Sequence, residues 1–129
     1  MSATKHPAFQ TELEFELPKG YLDPKTGELH RQGVMRLATA ADEILPLRDP
    51  RVQQNEAYLA VIVLSRVVVR LGSLTEVHPG VIEGLYASDL AYLERLYEAF
   101  NAGEEEAGAP ARTPARGASL RRMTPLGEA

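Results

Sequence analysis

The fold turns on one stretch, Asp49-Pro50-Arg51-Val52-Gln53-Gln54-Asn55-Glu56-Ala57-Tyr58-Leu59-Ala60-Val61-Ile62-Val63-Leu64-Ser65-Arg66-Val67-Val68-Val69-Arg70-Leu71-Gly72. Asp49-Pro50 is a helix start signal, because Asp caps the first N–H groups and proline suits the first helical position. Gly72 suits the residue just past a helix end. The valines and Ile62 argue for strand, since β-branched side chains are stiff at χ1. Length argues the other way: the run is far too long for an ordinary strand. The reading is a single helix over 50–71. On its wheel Asn55, Glu56, Arg66 and Arg70 form a narrow polar stripe, and apolar residues cover most of the rest. That arc is wider than a surface helix on one core requires.

Upstream, Leu13, Phe15 and Leu17 alternate with Glu12, Glu14 and Glu16, the period of a half-buried strand with an acidic outer face. Pro18-Lys19-Gly20 ends that strand, and Asp23-Pro24-Lys25-Thr26-Gly27 carries turn residues. A returning strand over 28–37 places Leu29, Met35 and Leu37 in register, with His30, Val34 and Arg36 pointing the other way and Gly33 as a bulge. Residues 11–37 thus read as a β-hairpin. Thr39 caps a short helix at about 40–45 that ends before Pro46 and carries Asp42 and Glu43 in its first turn. Downstream, short helical stretches are expected over 79–86 and, capped by Ser88, over 88–102, where Leu90, Leu93, Leu96, Tyr97 and Phe100 recur at helical spacing. The fold class is α+β: an N-terminal β-hairpin packed on a small helical bundle, one domain over 11–102. Residues 1–10 read as a flexible lead and 103–129, rich in Pro, Ala, Gly and Arg, as a disordered tail.

The chain has 129 residues, 44% apolar and 25% charged, with a formal net charge of −4. Residues 103–129 balance four Arg against four Glu, so the acidic excess lies in 1–102. Bulk-charge attraction to nucleic acid or anionic membrane is not expected. The absence of cysteine removes disulfides, thiolate nucleophiles and thiolate-bound metals. The N-terminal residues lack the apolar stretch of a signal peptide, and the apolar run from Ala57 to Leu64 is too short to span a bilayer.

Catalytic chemistry finds no pattern. His6, His30 and His78 are far apart and lack metal-ligand spacing. Asp42 and Glu43 are adjacent, so on a helix they diverge, and helix-end electrostatics accounts for them. None of the serines lies in a nucleophile motif, and no phosphate-cradling glycine loop is present. Arg112, Arg116, Arg121 and Arg122 would be the only nucleic-acid contacts, and they lack interleaved aromatics. Arg66 and Arg70, one helical turn apart, would make either an anion clamp or a solvated stripe. No catalytic, cofactor-binding or metal-ligating residue is assigned. The sequence reads as non-enzymatic and without a cofactor.

The positive signal is surface. Either the helices and hairpin bury each other, or apolar area is left for another protein; the width of the 50–71 arc favours the second. The partner-binding residues are then Tyr58, Val61, Ile62, Leu64, Val68 and Val69 on the first helix and Leu93, Leu96, Tyr97 and Phe100 on the last. A homo-oligomer is expected.

The order of features from about Phe15 to Phe100 resembles the tail assembly chaperones of Mu-like contractile-tail phages and their homologues in extracellular contractile injection systems. The resemblance rests on Leu17-Pro18-Lys19-Gly20-Tyr21-Leu22-Asp23, Gly27-Glu28-Leu29-His30 and Met35-Arg36-Leu37-Ala38-Thr39-Ala40-Ala41-Asp42-Glu43. A helix ending Arg70-Leu71-Gly72 and the helix carrying Asp89-Leu90, Leu93 and Leu96-Tyr97 complete it. It implies a non-enzymatic protein of the bacterial cytoplasm that coats the helical tape-measure protein, recruits tube subunits and leaves before the particle is finished. The competing readings are a structural tube, cap or baseplate component of the same particle, and a small nucleic-acid-associated regulator using the arginine tail.

Overall fold

Hydrogen-bond demand at the middle of the first strand organises the molecule. The computed structural model describes residues 10–108; residues 1–9 of the lead read over 1–10 and residues 109–129 of the tail read over 103–129 lie outside them. Strand β1 (Glu12–Leu22) pairs antiparallel with β2 (Leu29–Arg36), with Glu12 opposite Arg36, Phe15 opposite Gly33 and Leu22 opposite Leu29. The expected hairpin and α+β class are present. Pro18-Lys19-Gly20, however, does not end the strand. Between the Glu16/Gln32 and Tyr21/His30 pairs, β1 carries extra residues as a bulge. Gly20 takes φ 103°, which costs a glycine little.

The bulge frees backbone groups, and side chains take them up. Lys19 N and Gly20 N donate to the Asp89 carboxylate, the latter at 2.7 Å. Arg31 Nε donates to the Leu17 carbonyl at 3.0 Å, and its Nη2 reaches the Pro18 carbonyl. The bulge also resets the alternation near the turn, so Leu29 is exposed while His30 is buried, the reverse of the sequence reading. The connection is held by Asp23, whose carbonyl accepts from Gly27 N and whose carboxylate accepts from Lys25 N.

The single helix expected over 50–71 is not what forms. Helix α1 (Ala40–Ile44) and a 3₁₀ turn over 45–48 are followed by α2 (Pro50–Gln54), a second 3₁₀ turn over 56–58, α3 (Leu59–Val67) and strand β3 (Val68–Leu71). Two local causes split the run. Asn55 adopts extended φ/ψ and accepts from Ala57 N, restarting the helix after a break. At the other end Val67-Val68-Val69 meets the unpaired edge of β2, where β-branched residues are favoured. β3 pairs there antiparallel, Arg70 opposite Val34 and Leu71 opposite Gly33, completing a sheet of order β1-β2-β3.

Helix α4 (Pro79–Glu83) is capped by the His78 side chain, which accepts from Gly80 N, and is shorter than the expected 79–86. Helix α5 (Ala87–Gly108) starts before Ser88 and runs past both Ala102 and Gly103, so Ser88 is not its cap and 103–108 are helical in backbone. Ser88 instead accepts from Lys19 Nζ. The start of α5 is tied to the bulge through Asp89. Asn101 further along accepts from Ala38 N, beside the Leu37 N to Thr11 O bond. α5 therefore runs antiparallel along β1. One sheet face, with Phe15, Leu17 and Met35, packs on α3, α4, Leu93 and Tyr97. No helix among the described residues is long and apolar enough to cross a membrane.

Two substitutions test this frame by chemical denaturation. Asp89→Ala leaves the buried Gly20 N–H and the part-buried Lys19 N–H without acceptors and is expected to cost roughly 1–4 kcal/mol. In Gly33→Ala the new methyl would lie 2.7 Å from Phe15 Cε1 and 2.8 Å from the Arg70 carbonyl, so a loss of about 1–3 kcal/mol is expected.

Candidate interaction surface

The wide apolar arc of α3 is covered by the chain itself. Val61, Ile62, Leu64, Val68, Leu93 and Tyr97, expected to face a partner, are all buried in the core, Leu64 completely. This corrects their assignment as exposed binding residues: the third strand and α4 supply the cover that one hairpin would lack. Tyr58, Val69, Leu96 and Phe100 are half-buried. Of these, Tyr58 donates to the Glu83 carboxylate, and the Arg51 guanidinium sits 5.4 Å over its ring.

The apolar side chains that do reach solvent lie elsewhere. Ile44, Leu45 and Leu47 are 55%, 43% and 49% exposed, consecutive but for Pro46, which is buried. They form a ridge where α1 passes into the 3₁₀ turn. Leu22 and Leu29, a cross-strand pair at the hairpin end, and Tyr86 are the other large exposed apolar residues among the described residues. The sequence reading ends a short helix at about 40–45 before Pro46 and assigns no surface to the apolar residues around it. The available signal was an apolar run, Ile44-Leu45-Pro46-Leu47, where turns are normally polar.

What holds the ridge in place is Asp42. Its carboxylate is 2% exposed and accepts from Arg36 Nη1 at 2.7 Å, Arg36 Nη2 at 3.0 Å, Arg66 Nε at 3.0 Å and Thr39 N at 2.7 Å. Thr39 is the N-cap of α1, as expected, with Asp42 completing a capping box. Chiefly through the Arg36 hydrogen bonds, opposed by burial, the Asp42 carboxyl is held far below the usual carboxylate range. The Arg36 guanidinium is correspondingly pushed up. Tyr97 adds a tie, its hydroxyl donating to the Glu43 carboxylate. Strand β2 and helices α3 and α5 thus all anchor α1.

The same network separates the two arginines read as a clamp. Arg66 is bound to Asp42, whereas Arg70 lies on β3 in the sheet. His78 is a helix cap, and His6 lies outside the described residues. His30 is buried and stacks on Tyr21, with Nε2 3.9 Å from Asp23 Oδ2 and 3.7 Å from Glu28 Oε1 and no hydrogen bond to either. Among the described residues no group of three or more His, Asp or Glu is placed to hold a metal ion.

A depressed carboxyl favours the folded state above the unfolded pKa of about 3.9, and that contribution fades as pH falls towards the folded value. The stability difference between wild type and Asp42→Asn should therefore be constant above about pH 5 and shrink below about pH 4. At neutral pH it should be on the order of 3 kcal/mol. Denaturant titrations of both proteins across that range check it.

Comparison with protein-family models, with curated proteins and with solved structures returns no match for this chain.

Proposed function

We propose that the chain is a non-enzymatic protein-binding module that acts as an assembly chaperone for a helical partner, the tape-measure protein of a phage tail or contractile injection particle, in the bacterial cytoplasm. The observation that carries this reading is the Ile44-Leu45-Leu47 ridge, three large apolar side chains about half exposed beside a helix that the buried Asp42 carboxylate ties to Arg36 and Arg66. A helix offers matching rows of apolar residues at i, i+3 and i+4, and a short rigid ridge fits between them. The sequence resemblance supports the identity of the partner. Recruitment of tube subunits belongs to the same reading.

Co-expression with the tape-measure protein, followed by pull-down, tests it. Wild type should capture the partner, and Leu45→Asp/Leu47→Asp should lose capture at least tenfold while keeping its circular dichroism and melting temperature. Capture by the folded double variant would refute the ridge as the docking surface. Val61→Asp is no substitute, because that side chain is in the core and the variant should unfold. Purified mature particles should lack the protein; its retention would instead mark a structural subunit.

A further inference from the structure

The outer face of the sheet carries a groove of about 510 Å³ lined by Gln10, Glu12, Leu13, Glu14, Val34 and Arg70. The helices of the main core pack on the other face. Val34 is nonetheless buried beneath its neighbours and stands apart from the main core. Glu12 and Glu14 are exposed and make no ion pair among the described residues. Arg36, opposite Glu12 in register, is turned to Asp42, leaving Arg70 as the groove's own cation.

Two observations point to an occupant. Charge is segregated along the chain: residues 10–108 hold nine basic against seventeen acidic side chains, whereas 109–129 hold four arginines against Glu128. The division falls where α5 ends, because the Glu104-Glu105-Glu106 triplet belongs to the helix. Secondly, α5 leaves the domain at the right end. Asn101 bonds Ala38 N, next to the Leu37 N to Thr11 O bond, so the helix passes the start of β1 where the groove opens. The thirteen residues that follow Gly108 up to Arg121 span at most about 45 Å extended. That exceeds the width of a domain whose radius of gyration is about 13 Å. On α5 itself, Glu94 and Glu98 already have partners.

We propose that the arginine-bearing C-terminal segment of this chain, centred on Arg121-Arg122, docks in cis on the outer face of the sheet, its guanidinium groups on Glu12 and Glu14. The inference is independent of the assembly role proposed above.

The chain has no cysteine, so Ser119→Cys gives the full-length protein one site for a nitroxide label. With isotope-labelled, spin-labelled protein at low salt, the amide signals of Glu12, Glu14 and Val34 should lose intensity ahead of other surface amides. They should recover in 1 M salt, where the screening length falls to about 3 Å. They should also recover when Arg121→Gln/Arg122→Gln or the exposed pair Glu12→Gln/Glu14→Gln is added. Uniform broadening, broadening confined to the 44–47 ridge, or persistence in either neutralised variant would overturn the proposal. So would broadening seen only on mixing isotope-labelled with separately spin-labelled protein, which would place a second copy's segment in the groove.

Discussion

The buried Asp89 carboxylate is the interaction on which the arrangement depends. It is fully inaccessible, so as a charged group it is tolerable only if hydrogen-bonded, and the β1 bulge supplies the donors. The bulge, for its part, exposes two N–H groups that cannot pair with β2 and need an acceptor. Each feature answers the other's unmet demand. Arg31 closes the account on the carbonyl side through Leu17 and Pro18. Because Asp89 lies in the first turn of α5, this fixes where the helix begins against the sheet. Leu93 and Tyr97, one and two turns on, then fall onto the core.

With α5 seated, α3 is enclosed. Seven of its nine residues are buried, leaving Ser65 and Arg66 as its polar side. Ser65 turns its hydroxyl back to the Ile62 carbonyl, and Arg66 extends to Asp42. The apolar abundance that suggested a sticky helix is therefore the mark of a central one. Nearly all-round apolar character is compatible with burial inside a domain as well as with an interface. What remains for partners is decided by the connections around α3, where Pro46 is drawn in and its neighbours are pushed out.

The hairpin was legible because Leu13, Phe15 and Leu17 alternate cleanly with glutamates, a local pattern that needs no partner to be interpreted. The Thr39 cap and Asp49-Pro50 start were legible for the same reason. The second half of the 50–71 run was not. Whether Val67-Val68-Val69 winds or extends depends on a free edge on β2, which is tertiary information. Asn55 carried a usable local signal, since its short side chain competes for the backbone and favours caps over helix interiors. Lys19 and Gly20 misled for a related reason: they look like a strand end until a distant carboxylate satisfies them. The exposed ridge was least visible of all, because exposure is a property of packing rather than of residue type.

The size of that ridge bears on what kind of binding it can support. Fully burying one leucine or isoleucine gives about 1.5–3 kcal/mol, so three half-exposed residues give roughly 2–5 kcal/mol together. Association costs about 4–15 kcal/mol. A single ridge would therefore not hold a partner by itself, and is too small for a permanent subunit interface. On a long helical partner that offers many similar sites, only copies joined to one another would gain by avidity what each lacks alone. The buried Asp42 network adds to this by pre-ordering the ridge, so little side-chain freedom is lost on contact. Weak individual binding with collective occupancy is the regime in which a chaperone covers an apolar helix and is later displaced.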